Sequence, residues 1–154
     1  MSGESVDDFI IQMDREMSKK SFQYFFVDIL GFLFSDHHQS WKDGLEESQY
    51  YCVKASRDHG KSVFFMSYAL WIAAFNPGKH VMIFSHSLEQ TLEHMRFIKS
   101  NIDRIDCLRD MVPEGRPWAK SYFELSNGSR IMAKSVGGAT RGFHPDGVVC
   151  DDIL

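Results

Sequence analysis

Eight consecutive residues, Ala55-Ser56-Arg57-Asp58-His59-Gly60-Lys61-Ser62, end on Gly-Lys-Ser at the spacing of a loop that holds nucleotide phosphates. A triphosphate carries dense negative charge that must be held without side-chain clutter. Backbone N–H groups of the loop and of the first turn of a following helix can cradle the phosphate oxygens, and Gly60 lets the backbone come close. Lys61 would neutralise charge at the β and γ positions, and the Ser62 hydroxyl would ligate Mg²⁺. All eight residues are therefore candidate nucleotide contacts, with Lys61 also catalytic and Ser62 also a metal ligand. Ala55 stands where the usual pattern has Gly.

A second chemistry-bearing group closes the sequence. Val148-Val149-Cys150-Asp151-Asp152 runs from apolar residues into two adjacent carboxylates. In nucleotide hydrolases of the loop-and-paired-acid kind, the first acid holds Mg²⁺ through water and the second polarises the attacking water. Asp151 is thus the candidate metal acid and Asp152 the candidate catalytic acid. On its own the pair reads more readily as a polar strand end or a helix cap, and behind a phosphate loop and its helix the balance reverses. Small-molecule kinases need only the metal acid, whereas hydrolysing motors need its neighbour too. DEAD- and DExH-type helicases place Glu, then Ala or another residue, then Asp or His after the first acid; here Asp152-Ile153-Leu154 follows, which weakens the helicase reading.

These residues need elements to position them. Gln49 to Ala55 is β-branched and aromatic and predicts a strand running into the loop. Val63 to Phe75 is apolar almost all round, as in a helix buried against a sheet, and stops at Asn76-Pro77-Gly78. Val6, Phe9, Ile10, Met13 and Met17 recur at helical spacing, as do Phe22, Phe25, Phe26, Ile29, Leu30 and Leu33, whose aromatic stripe reads as core packing. Asp36 to Glu47 reads as a short polar helix or loop. His80 to Ser85 predicts a parallel strand buried on both faces, and Leu88, Leu92, Met95, Ile98, Ile102 and Ile105 a long helix. Cys107 to Lys120, with two prolines and Gly115, reads as a loop. Ser121–Leu125 and Arg130–Lys134 read as strands around an Asn127-Gly128 turn, and a glycine-rich loop at Gly137–Gly142 leads to the paired acids. The expected fold class is α/β, a parallel sheet flanked by helices. A helical segment would span 1–48 and a nucleotide-binding core 49–154, with the loop at 55–62, a hairpin near 121–135 and the acid strand at 148–152.

Bulk properties bound the reading. The chain has 154 residues, 44% of them hydrophobic, enough for one domain with a core. A net charge of −4 excludes a generally basic nucleic-acid surface. Cys52, Cys107 and Cys150 lack metal-ligand spacing and read as reduced thiols. The acidic Met1–Asp8 is unlike a secretory signal, and the longest apolar run falls short of the about 20 residues that cross a bilayer. No membrane partner is expected, and an intracellular location is.

Taken in order, these motifs resemble the large terminase subunits of tailed phages. The likeness covers roughly Phe22 to Leu154: a phosphate loop with an internal arginine, a hairpin at Leu125-Ser126-Asn127-Gly128-Ser129-Arg130-Ile131, the Arg141-Gly142 loop, and the apolar strand with paired acids. The resemblance implies an ATPase that uses ATP and Mg²⁺, built as a P-loop NTPase of the ASCE/RecA-like class. It implies that Arg57 contacts the γ-phosphate within one subunit and that Arg141 acts in trans on a neighbour's site, each stabilising charge on the transferred group. A solvated loop cation at Arg57 and a structural contact at Arg141 are the plain alternatives. Gln39 and Trp41 lie where relatives place adenine-recognising residues, with His38 a rival; His37-His38 as a metal pair is weaker, lacking further ligands. The implied partners are double-stranded DNA, a small terminase subunit, a portal protein and other copies in a homo-oligomeric ring. The implied place is the host cytoplasm, transiently the procapsid portal, and not the mature virion.

The sequence also departs from that family. Asp152 is one methylene shorter than the usual Glu, and the chain ends at Leu154, before the family's coupling segment and nuclease domain. In that class the strand between the phosphate-loop strand and the acid strand comes later than both. A chain without it is expected to be marginally stable or self-associating and to need a complementing C-terminal chain. Two other readings stand beside this one: a helicase-like or other P-loop motor fragment, and a non-catalytic nucleotide-binding remnant.

Overall fold

The computed structural model describes residues 5–57, 59–115, 118–139 and 141–153. Its elements are α1 (Val6–Lys20), α2 (Phe22–Tyr24) continuing into a π-helical turn (Phe25–Ile29), α3 (Asp36–Glu47), α4 (Lys61–Phe75), β1 (His80–Ser85), α5 (Leu88–Arg104), α6 (Asp106–Arg109), β2 (Tyr122–Glu124), β3 (Arg130–Ser135) and β4 (Gly147–Asp151). The result is a mixed α/β fold with a four-stranded, mostly parallel sheet flanked by helices.

The sheet order is β2-β3-β1-β4. β1 runs parallel to both neighbours, with Val81 opposite Ile131 and Ser85 opposite Asp151. β2 is antiparallel to β3, Phe123 facing Ile131. Central β1 buries Val81, Met82 and Ile83, as its continuous apolar run predicts for a strand covered on both faces. α4 buries Phe64, Met66, Ala69, Leu70, Ala73, Ala74 and Phe75, which is why its sequence has no polar stripe.

The turn between β2 and β3 does more than reverse the chain. Asn127 Nδ2 donates to Ala73 O at 2.9 Å and Ala74 O at 3.0 Å, and Ser129 Oγ donates to Asn76 O at 3.0 Å. The last turn of a helix leaves carbonyls without intrahelical donors, and here the hairpin supplies them. Gly128, at φ +83, takes the left-handed conformation that the turn requires.

One hydrophobic cluster runs from the N-terminal helices to the sheet. Phe64 of α4 touches Phe22, Phe26, Trp41 and Phe65, and stacks on His38 at 5.3 Å with the rings 7° apart. Such aromatic pairs add about 0.5–1.5 kcal/mol each beyond area burial.

Three expectations are corrected. Residues 49–55 form no strand: Gln49 and Tyr50 bend, 51–55 are irregular, and no ladder joins the segment to edge strand β4, whose one partner in the described sheet is β1. β-propensity yields a strand only with a neighbour to bond. Phe22 to Leu33 is not one helix; it widens into the π-turn and ends at Leu30, before Gly31 at φ +81. The loop at 107–120 begins inside the short helix α6. Among the described residues no helix is long and apolar enough to cross a membrane.

Candidate functional site

The site lies where the N-terminus of α4 meets the C-terminal ends of β1 and β4, the edge at which parallel sheets bind ligands. Gly60 caps α4 at φ +67, a conformation that glycine adopts at little cost, and its carbonyl accepts from Phe64 N at 2.9 Å. Lys61 and Ser62 therefore occupy the first turn, beside free backbone N–H groups and the positive end of the helix dipole.

Both residues reach the paired acids. Ser62 Oγ donates to Asp151 Oδ2 at 2.6 Å, and Lys61 Nζ lies 3.4 Å from Asp152 Oδ1. Asp152 has φ +46, a region that non-glycine residues rarely enter. The two carboxylates part accordingly: Asp151 is 4% exposed, whereas the Asp152 side chain is 61% exposed.

A residue outside both motifs completes the group. His94, on α5, is 8% exposed and places Nε2 3.0 Å from Asp151 Oδ2, at ion-pair distance though not aimed for a linear hydrogen bond. Burial pushes the Asp151 carboxyl up, but the close His94 imidazole, the Ser62 hydroxyl and the Lys61 charge outweigh it and hold the group below its ordinary value. Ser85, opposite Asp151 in register, buries an Oγ with no hydrogen-bond partner among the described residues. The one available signal was the polar letters Thr91, His94 and Asn101 on α5, all buried.

Beneath the loop, α3 presents two histidines. His38 Nδ1 accepts from Ser35 N at 3.1 Å, filling the part that Glu plays in a capping box. That bond leaves the neutral ring's proton on Nε2, which lies 3.1 Å from His37 Nε2. His37 Nε2 also lies 3.2 Å from His59 O. Burial, then the neighbouring His37, lowers the His38 pKa. Within the loop Ser56 Oγ lies 2.9 Å from His59 Nδ1.

The other expected residues are placed as follows. Ala55 is half-buried against the core, and Arg57 is exposed. Asp58 lies outside the described residues. Arg141 is exposed between β3 and β4; among the described residues no hydrogen bond or ion pair joins it or Arg57 to the paired acids. Gln39 is exposed and donates to Asp43 Oδ1 at 2.7 Å. Trp41 is buried against Phe64 and Phe65, so its ring serves the core.

Among the described residues no group of three or more His, Cys, Asp or Glu is arranged to hold a metal. The donors that converge are oxygens, Ser62 Oγ and an ionised Asp151. Such a set suits a hard cation that takes its remaining ligands from phosphate and water. No protein-family model matches the chain, and no curated protein matches it at a significant level.

Proposed function

We propose that this chain binds Mg²⁺-ATP at the start of α4, as the nucleotide-binding part of a P-loop motor of the phage DNA-packaging kind. One observation supports the reading: Lys61 and Ser62 meet Asp152 and Asp151 from a distant part of the sequence, which gathers the candidate phosphate, metal and water-activating groups at one point.

The reading gives each residue a role. The first-turn N–H groups of α4 and Lys61 hold the phosphates, Lys61 leaving Asp152 as the γ-phosphate arrives. Ser62 and Asp151 would hold Mg²⁺, which would supply charge neutralisation at the phosphates. Asp152, exposed on the opposite side of the strand end, orients the attacking water. Arg57 and Arg141 are cations on loops that can close on the transferred group. In the complete motor this site would work in a subunit ring at the portal of an empty capsid, with double-stranded DNA and a small subunit as further partners.

Mg²⁺-ATP affinity, measured by calorimetry, should fall at least about tenfold in Lys61→Ala; unchanged affinity rejects the site. The exposure of Asp152 favours a second reading, binding without turnover, since a water-activating acid works best in a closed, water-excluded site. Phosphate release from the chain and from its mixtures with candidate complementing segments separates the two.

A further inference from the structure

α1 is mounted with its apolar side outward. Its contacts with the body are largely polar: Arg15 Nε donates to Cys107 O at 3.0 Å and its Nη2 pairs with Asp110 at 2.5 Å, Asp14 accepts from Tyr24 OH at 2.9 Å, and the carbonyl of buried Ser18 accepts from Trp71 Nε1 at 2.7 Å. Only Ile11 adds an apolar side chain to the core from this helix. The other side carries Val6, Phe9, Ile10, Met13 and Met17, exposed by 75, 62, 44, 45 and 43%. That stripe follows the 3.6-residue period over the whole helix, the reverse of a surface helix seated on its core.

We propose that this stripe is a dimerisation face, on which α1 pairs antiparallel with α1 of a second copy of the chain about a two-fold axis at Met13. Charge selects the occupant. The first turn carries Asp7 and Asp8 and the last turn Lys19 and Lys20. Antiparallel pairing lays the acidic turn of each helix on the basic turn of the other and opposes the two helix dipoles favourably, whereas parallel pairing sets like on like. With Met13 on the axis, Phe9 meets Met17 of the second copy, and Asp7 comes beside its Lys19 and Lys20. Methionines suit such a seam, since they fill irregular gaps without a unique shape. A 15-residue helix is about 22 Å long, so a seam of two such helices is short beside a standard stable interface. The dimer is therefore weak and reversible.

Sedimentation of the full chain over a range of concentrations tests this. The expected result is a monomer–dimer equilibrium that Met13→Lys shifts to monomer, raising Kd by at least about tenfold with unchanged circular dichroism. Asp7→Lys and the double change Lys19→Glu with Lys20→Glu should each weaken self-pairing, and an equimolar mixture of the two variants should pair again, because position 7 of each copy then meets a last turn of opposite sign. A chain that stays monomeric throughout overturns the proposal and leaves the stripe to a different partner. Association untouched by Met13→Lys, or a mixture no tighter than its parts, overturns it equally.

Discussion

Asp151 is almost wholly buried, yet it stays ionised because His94, Ser62 and Lys61 surround it. Removing His94 takes away one of those supports while the burial remains. His94→Leu should therefore cost about 1–3 kcal/mol in urea melts at pH 7. His94→Leu with Asp151→Asn should cost less than the sum of the single changes, because the neutral amide no longer needs the imidazole; strict additivity would show the two uncoupled. The pH dependence has a definite sign. Asp151 titrates below its ordinary value of about 3.9, so its contribution is present above that value and is lost as pH falls through the folded pKa. His38 is shifted down from about 6.5, so the unfolded chain protonates first and stability declines as pH drops below that value. His38→Phe, which keeps the stacking on Phe64, should flatten the change in melting temperature between about pH 7 and 5. An unaltered slope would assign it to other groups. Lys61, Ser62, Asp151 and Asp152 were legible in the sequence because each belongs to a short local motif. His94 was not, since its role comes from where α5 lies on the sheet, so that this side chain reaches Asp151 at the end of β4, which no spacing within α5 reveals.

The helices and strands were legible wherever their periodicity was strong. α4, β1, α5 and the β2–β3 hairpin fall where the apolar patterns put them. Gln49–Ala55 shows the limit: its residue types favour a strand, but a ladder needs a second strand, and propensity does not report whether one is there. Instead Tyr51 lies against Gly44 of α3, where a side chain at position 44 would collide with its ring, and its hydroxyl donates to Ser40 O at 3.3 Å. The segment is held by side-chain packing rather than by backbone pairing. Asn127-Gly128 was legible as a turn, but not as the cap of α4. Asn127→Ala should cost about 1–3 kcal/mol, more than a surface turn substitution, because the carbonyls of Ala73 and Ala74 lose their donor. A loss below about 0.5 kcal/mol in chemical denaturation would mean that water replaces the amide.

At the scale of the whole chain, Phe64 joins the N-terminal helices to the sheet. It is fully buried among Phe22, Phe26, His38 and Trp41, so Phe64→Ala should cost about 3–5 kcal/mol. If the helices and the sheet melt together in the wild type, the loss should lower a single transition; two separated transitions in calorimetry would show that Phe64 alone couples them. The aromatic run at Phe22–Leu33 announced this core, and its inner face was legible. The outward mounting of α1 was not, because an amphipathic pattern defines two faces without saying which one the molecule covers. The hairpin cap has a mechanical consequence. α4 is tied at its front to β4 through Ser62 and Asp151, and at its rear to the hairpin through Asn127 and Ser129. A helix fastened at both ends is a stiff strut, so a push that separates its front from β4 is delivered along its length to the hairpin at the far side of the sheet.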